Sequence, residues 1–285
     1  MTLLWSGLSV GAIYALVAVG YNIVFVASGA FNFAQAQLVM LGAFVAYWGL
    51  TTLRAPVVVV FLLAGGVVAV VAAVEERLAI RTTRDVEAQL VTTVGVATLI
   101  NGATQLIWGA QPLQVPFFGP TGVTKVLGGR VFPVDLVLVG VAIVVAVGLA
   151  VLSRTTLLGL ALLAISEDRE AAEVRGINVR ALALGTFAFS GLVAGLLGPI
   201  VGPKTFAVAT LGSALALKGF VALAMGGFGS MSGGLVGGLA VGVIESYTAR
   251  YIGDAYSNTM VFAALLLVLL VRPAGLFGRV RERVV

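Results

Sequence analysis

Apolar stretches of about 20 residues recur along the whole chain, and the first lysine or arginine is Arg54. A helix of that length matches the hydrocarbon thickness of a bilayer, about 30 Å. Of 285 residues, 60% are apolar and 10% are charged. Mean hydropathy is +1.12. Soluble domains carry about 25% charged residues, so these few cannot clothe a water-facing surface. A disordered chain needs the opposite composition, polar and strongly charged. The class that remains is an all-α, polytopic membrane protein with about 8–9 transmembrane helices, read as one domain over 1–285.

Spans are predicted near 3–27, 33–50, 55–75, 86–108, 132–153, 181–202, 211–226, 234–250 and 256–272. The N-terminus lacks the basic region of a signal peptide, so the first span is expected to remain. The segment 33–50 either crosses or only dips into the bilayer. The seventh is short enough to be broken or re-entrant. Basic residues gather in three places: Arg77, Arg81 and Arg84; then Arg154, Arg169, Arg175 and Arg180; then Arg272, Arg279, Arg281 and Arg283. Positive charge in short loops favours the cytoplasm. The spans between these groups are even in number, so all three share the inner face. The C-terminus is then cytoplasmic, and the N-terminus external if 33–50 crosses. The loop 109–131, with its prolines and glycines, falls outside and is expected to lack regular structure.

Several chemistries are excluded. The chain has no cysteine and no histidine, so disulfides, thiolate or imidazole metal sites and Ser-His-Asp catalysis are absent. The net charge of +5 is placed by arginines beside anionic lipid rather than by a nucleic-acid surface. The Gly-rich run 226–242 lacks the Lys-[Ser/Thr] ending of a phosphate loop. Its Gly233 and Gly237, then Gly234, Gly238 and Gly242, make a small-residue ridge for close helix packing. Gly191, Ala194, Gly195 and Gly198 repeat the pattern in the sixth span.

Glu245 is expected deep in the eighth span, and Lys218 near one end of the seventh, snorkelling to the surface. Asn22, Asn32, Gln35, Gln37, Asn101 and Gln105 either line a path for a zwitterion or bond between helices.

"SEDREAAEVRGINVR", residues 166–180, breaks the apolar pattern. It is expected to form a short helix. Ser166 is the predicted N-cap. Glu167, Asp168 and Glu170 fall in the first turn, where the helix dipole favours negative charge, and Arg175 at the far end. Gly176 stands at the position after the cap. A helix of two to three turns is not stable alone, so something must hold it.

"EDREAAEVRGINVRALALGTFAFSGLVAGLLG" resembles the conserved segment of ABC importer permeases of the branched-chain amino acid type, with Glu167, Asp168, Ala171, Ala172, Gly176, Ile177 and Asn178 in the family's places. "GLSVGAIYALVAVGYNIVFVASGAFNFAQAQLVMLGAFVAY", "ALKGFVALAMGGFGSMSGGLVGGLAVGVIES" and "RPAGLFG" follow the family's order over nearly the full chain. The likeness is to the LivH-type subunit more than to its LivM-type companion. It implies that the charged segment is a coupling helix that docks in a cytoplasmic ATPase. It further implies a second permease, two ATPase subunits and an extracytoplasmic substrate-binding protein in a bacterial cytoplasmic membrane. ATP and magnesium would be used by the partners, with no cofactor or metal on this chain. One departure stands out: the family's His-Gly-acidic run after "NFA" is here Gln35, Ala36, Gln37. A permease for another small polar solute (urea, an amide or a sugar) and an ion-gradient-driven transporter are the alternatives.

Overall fold

A computed structural model describes residues 1–29, 31–83 and 85–278. Arg84, Arg279, Arg281 and Arg283, used above to orient the chain, lie outside the described residues. The main elements are the helices α1 (Thr2–Ser28), α2 (Gln35–Tyr47), α3 (Val57–Glu75), α4 (Val86–Trp108), α5 (Pro133–Thr155), α6 (Leu157–Glu167), α7 (Arg169–Val174), α8 (Val179–Thr205), α9 (Leu211–Gly226), α10 (Met231–Tyr251) and α11 (Ser257–Val271). Among the described residues, six helical segments are long and apolar enough to cross a bilayer. They contain α1, α3, α4, α5, α8 and α11. The others fall short in different ways. Helix α2 has 13 residues and is prolonged by a π-helical turn, Trp48–Thr52. Helix α9 has 16 residues. Helix α10 is long enough, but its glycines and Glu245 lower its hydropathy.

The helices form two compact units. One holds Met1–Asn22, Gly122–Val151 and Lys218 onwards. Here α10 packs against α1 and α9 by backbone approach. A methyl group at Gly238 would strike Ala15, and one at Gly242 would strike Gly11. On the other face, Gly237 lies against Ala222 and Gly233 against Gly226. Large side chains at these places would force the helices apart, so the small residues set the packing distance. Ser230 starts α10 by accepting a hydrogen bond from the Gly233 N–H at 3.0 Å, and Asn22 secures the preceding turn. The Asn22 side chain accepts from the Gly229 N–H at 2.8 Å and donates to the Ser230 carbonyl at 2.9 Å. The backbone turns sharply there, with Gly227 at φ +104° and Gly229 at +80°. Glycine reaches this region without a Cβ clash.

The other unit holds Ile23–Thr121 and Leu152–Leu217. Its centre is α8, laid against α2 and α3. Gly198 meets the Gly42 peptide, Gly195 meets Ala64 and Gly65, and Gly191 meets Ala72. The ridge continues through two neighbours because the glycines occupy different sides of the helix.

Three expectations need correction. The loop 109–131 contains a small antiparallel hairpin, Thr124–Val126 with Gly129–Val131. Its two turn residues, Leu127 and Gly128, both have positive φ (49° and 76°), a backbone twist that suits tight hairpins. The region after the fifth span holds α6, which no span prediction included. Thr156 caps it through the Gly159 N–H at 3.1 Å, and Leu157, Leu158 and Leu160 remain exposed. Ser166 is not the cap of the short charged helix. It lies inside α6, where its hydroxyl donates to the Leu163 carbonyl at 2.8 Å.

Candidate functional site: a capped short helix and a buried ion pair

Asp168 starts α7. Its carboxylate accepts from the Ala171 N–H at 3.0 Å, which satisfies an orphan donor of the first turn. Glu167 ends α6 instead of opening α7. At the other end Gly176 adopts φ +85°. Its N–H donates to Glu173 at 3.0 Å, and the Ile177 N–H reaches back to Ala172 at 3.1 Å. This double bond pattern closes a helix through a left-handed residue. Asn178 then caps α8, accepting from the Ala181 N–H at 3.0 Å. Six helical residues are thus fixed at both ends by hydrogen bonds.

Packing supplies what length cannot. Ala172 is buried with Ile165 of α6 and Val179 of α8, and Ile177 and Leu182 pack on the same cluster. Val174 stays 89% exposed on the opposite side, beside exposed Ala171 and Glu173. The short helix is a braced projection with a small, partly apolar outer face.

Glu245 and Lys218 are brought together within one unit. Lys218 Nζ lies 2.7 Å from Glu245 Oε1, and the Tyr14 hydroxyl donates to Glu245 Oε2 at 2.7 Å. The ammonium also sits 5.9 Å from the Tyr14 ring centroid. The lysine therefore does not snorkel, as the sequence suggested; it neutralises the carboxylate inside the helix assembly. A lone charge at mid-bilayer costs about 2.5–3.5 kcal/mol on insertion scales, and pairing removes most of that penalty. The pair is not sealed: the Glu245 side chain remains 23% exposed and that of Lys218 11%.

The amides separate by role. Asn22 is bound into the turn described above. Gln35 is buried, and its side chain accepts from the Ser190 hydroxyl at 3.0 Å. Gln37 is buried against Gly212 with its carbonyl oxygen unpartnered among the described residues. Asn32 accepts from the Ala34 N–H at 2.8 Å. Asn101 meets Ser213 at 3.4 Å, and Gln105 is exposed. Sequence reasoning missed further buried acids. Asp135, in the first turn of α5, accepts from the Ser9 hydroxyl at 2.6 Å. Glu75 is 3% exposed, faces the Asn32 amide, and has no hydrogen-bond partner on either oxygen among the described residues. Glu76 pairs with Arg81 at 3.2 Å. The available signal was position: the predicted third span ends at Glu75, the last residue of α3, yet the helix continues past it as a π turn, Glu76–Ile80.

The arrangement of small-residue ridges and a short braced helix can be compared with known proteins. The family described as branched-chain amino acid transport system / permease component matches residues 3–271. The chain belongs to this family. Among its relatives is the high-affinity branched-chain amino acid transport system permease protein BraD of Pseudomonas aeruginosa, 29% identical across 96% of this chain and 94% of the relative. LivH of Escherichia coli K12, with the same description, is 28% identical across 97% and 94%. A probable branched-chain amino acid transport permease protein LivH from Methanocaldococcus jannaschii is 24% identical across 92% and 88%. No solved structure matches the chain. As a family permease component, it is a multi-pass transport protein.

Proposed function

We propose that the chain is a permease subunit of an ATP-driven importer and forms part of the translocation path for branched-chain or related amino acids. The observation that carries this is the family match over residues 3–271, together with full-length relatives named as high-affinity permeases of that class. The partners are a second, LivM-type permease, two cytoplasmic ATPase subunits that use ATP and magnesium, and an extracytoplasmic substrate-binding protein.

In this reading α7 is the coupling helix. Force from a closing ATPase enters at Ala171, Glu173 and Val174. The caps at Asp168 and Gly176 keep the helix from unwinding, and Ala172 and Ile177 pass the displacement to α6 and α8. The arginine-bearing segments and the C-terminus lie on the cytoplasmic side, and the N-terminus lies outside. Asn32, Gln35, Gln37 and Glu245 are the path candidates; the Asn22 bonds favour a structural task for that residue.

The test is a complex reconstituted in liposomes with its ATPases and binding protein. Glu167 ends α6, so the two ends of the lever are Asp168 and Gly176; changing these two together should leave ATP hydrolysis running while uptake falls. Unchanged uptake in that double variant removes the coupling assignment. A second reading, import of another small polar solute, draws on Gln35 and Gln37 in place of the family's ionisable pair. A competition panel of branched-chain amino acids, urea, amides and sugars separates the two.

A further inference from the structure

We infer that the Lys218–Glu245 pair is a zwitterion-exchange site: the ammonium of an α-amino acid pairs with Glu245, its carboxylate pairs with Lys218, and the internal ion pair reforms when the solute leaves. The inference rests on the permease reading above and names how that path recognises its cargo.

Four observations carry it. First, the two charges are of opposite sign and in contact, Nζ to Oε1 at 2.7 Å, so together they mirror the charges of an α-amino acid. Second, they sit on α9 and α10 inside the helix bundle, and each side chain keeps an open portion, 11% and 23%. Charges within a span do not turn an open side to hydrocarbon; they face protein or a water-filled cavity. Third, the two ends are unequally held. Tyr14 fixes the second carboxylate oxygen at 2.7 Å, whereas the Lys218 ammonium has three N–H donors and one acceptor, Glu245, among its described hydrogen bonds. Beyond Glu245, among the described residues, the ammonium meets only the Tyr14 ring face, 5.9 Å from its centroid, so it has N–H donors left for a solute carboxylate while the tyrosine hydroxyl keeps Glu245 oriented. Fourth, exchange never leaves a bare charge. Each ion pair that breaks is replaced by one of the same kind, and the broken internal pair competes with the solute. That competition keeps binding weak, as a path needs if the solute is to leave.

A purely structural clamp between helices makes different predictions. The neutral variant Lys218→Met/Glu245→Gln keeps volume and leaves no unpaired charge. In the assembled complex, uptake of leucine by this variant should fall at least about tenfold, although the subunits still co-purify. Wild-type uptake in this variant would overturn the exchange site in favour of a clamp. A binding measurement independent of that variant uses the absence of cysteine from the chain. Ala249→Cys places one thiol on the Glu245 face of α10, one helical turn away and exposed. In the complex without ATP, leucine should slow N-ethylmaleimide labelling of this chain by about tenfold, while 3-methylbutylamine and 4-methylpentanoate, each carrying one of the two charges, should not. Protection by either half-molecule equal to that by leucine, or no protection by leucine, overturns the proposal. A complex that imports no branched-chain amino acid at all refutes the permease reading instead.

Discussion

Gly238→Ala is the sharpest probe of how the bundle is held. The added Cβ would lie 2.6 Å from Ala15 Cβ and closer still to the Ala15 backbone. Carbon atoms in contact sit about 3.5–4.0 Å apart, so α1 and α10 must separate by about 1 Å. Overpacking of this kind costs about 1–3 kcal/mol, and a clash with backbone belongs in the upper half because no rotamer change relieves it. Alanine returns about 1 kcal/mol through helix propensity. The net loss is about 1–2 kcal/mol, which lowers the thermal midpoint by about 2–8 °C for a chain of this order of size. The assay is tryptophan-fluorescence melting of the purified chain in detergent. Gly140→Ala and Gly148→Ala in α5 serve as controls, since a Cβ there meets nothing within 4 Å; their midpoints should hold or rise. A Gly238→Ala chain that melts with these controls would refute the claim that backbone approach sets the packing of α10.

Other substitutions test separate links. Asp168→Ala removes the α7 cap and should cost about 0.5–2 kcal/mol of local helix stability, seen as faster amide exchange confined to residues 169–175. Asn22→Ala removes the two hydrogen bonds that hold the Gly229–Ser230 turn; at about 0.5–1.5 kcal/mol per bond, the melting midpoint should drop. Glu75→Gln removes a buried carboxylate that no described residue bonds, so the melting midpoint should hold or rise; a lower midpoint would mean that the charge contributes to the fold. Lys218→Met alone strands Glu245 and should destabilise the chain more than Lys218→Met/Glu245→Gln does, as read by the same melts.

Long apolar runs made most helices legible, because a lipid-spanning segment has to be helical and of a fixed length. The glycine ridge of α10 was legible for a related reason: small residues at four-residue spacing have few uses other than close approach. Gly176 announced its own φ, since position after a helix cap leaves glycine little alternative. What escaped the sequence depends on which residues meet in space. Lys218 and Glu245 are 27 positions apart, and composition alone reads the lysine as a snorkelling end. The predicted third span ends at Glu75, and the π turn that carries the helix on through Glu76 has no sequence signature. Ser166 and Asp168 both suit an N-cap; the apolar run of α6 extends far enough to absorb the serine and leave the aspartate to act. Helix α6 was missed because a mostly apolar run of eleven residues is too short for a span and had no assigned place.

The central claim is that this chain transmits work performed by a partner and performs none itself. The most direct test is solute accumulation in liposomes containing the purified chain alone, compared with liposomes containing the chain with its second permease, ATPases and binding protein. Leucine should accumulate against its gradient only in the complete system and only with ATP. Accumulation by the chain alone, driven by an ion gradient, would contradict the account.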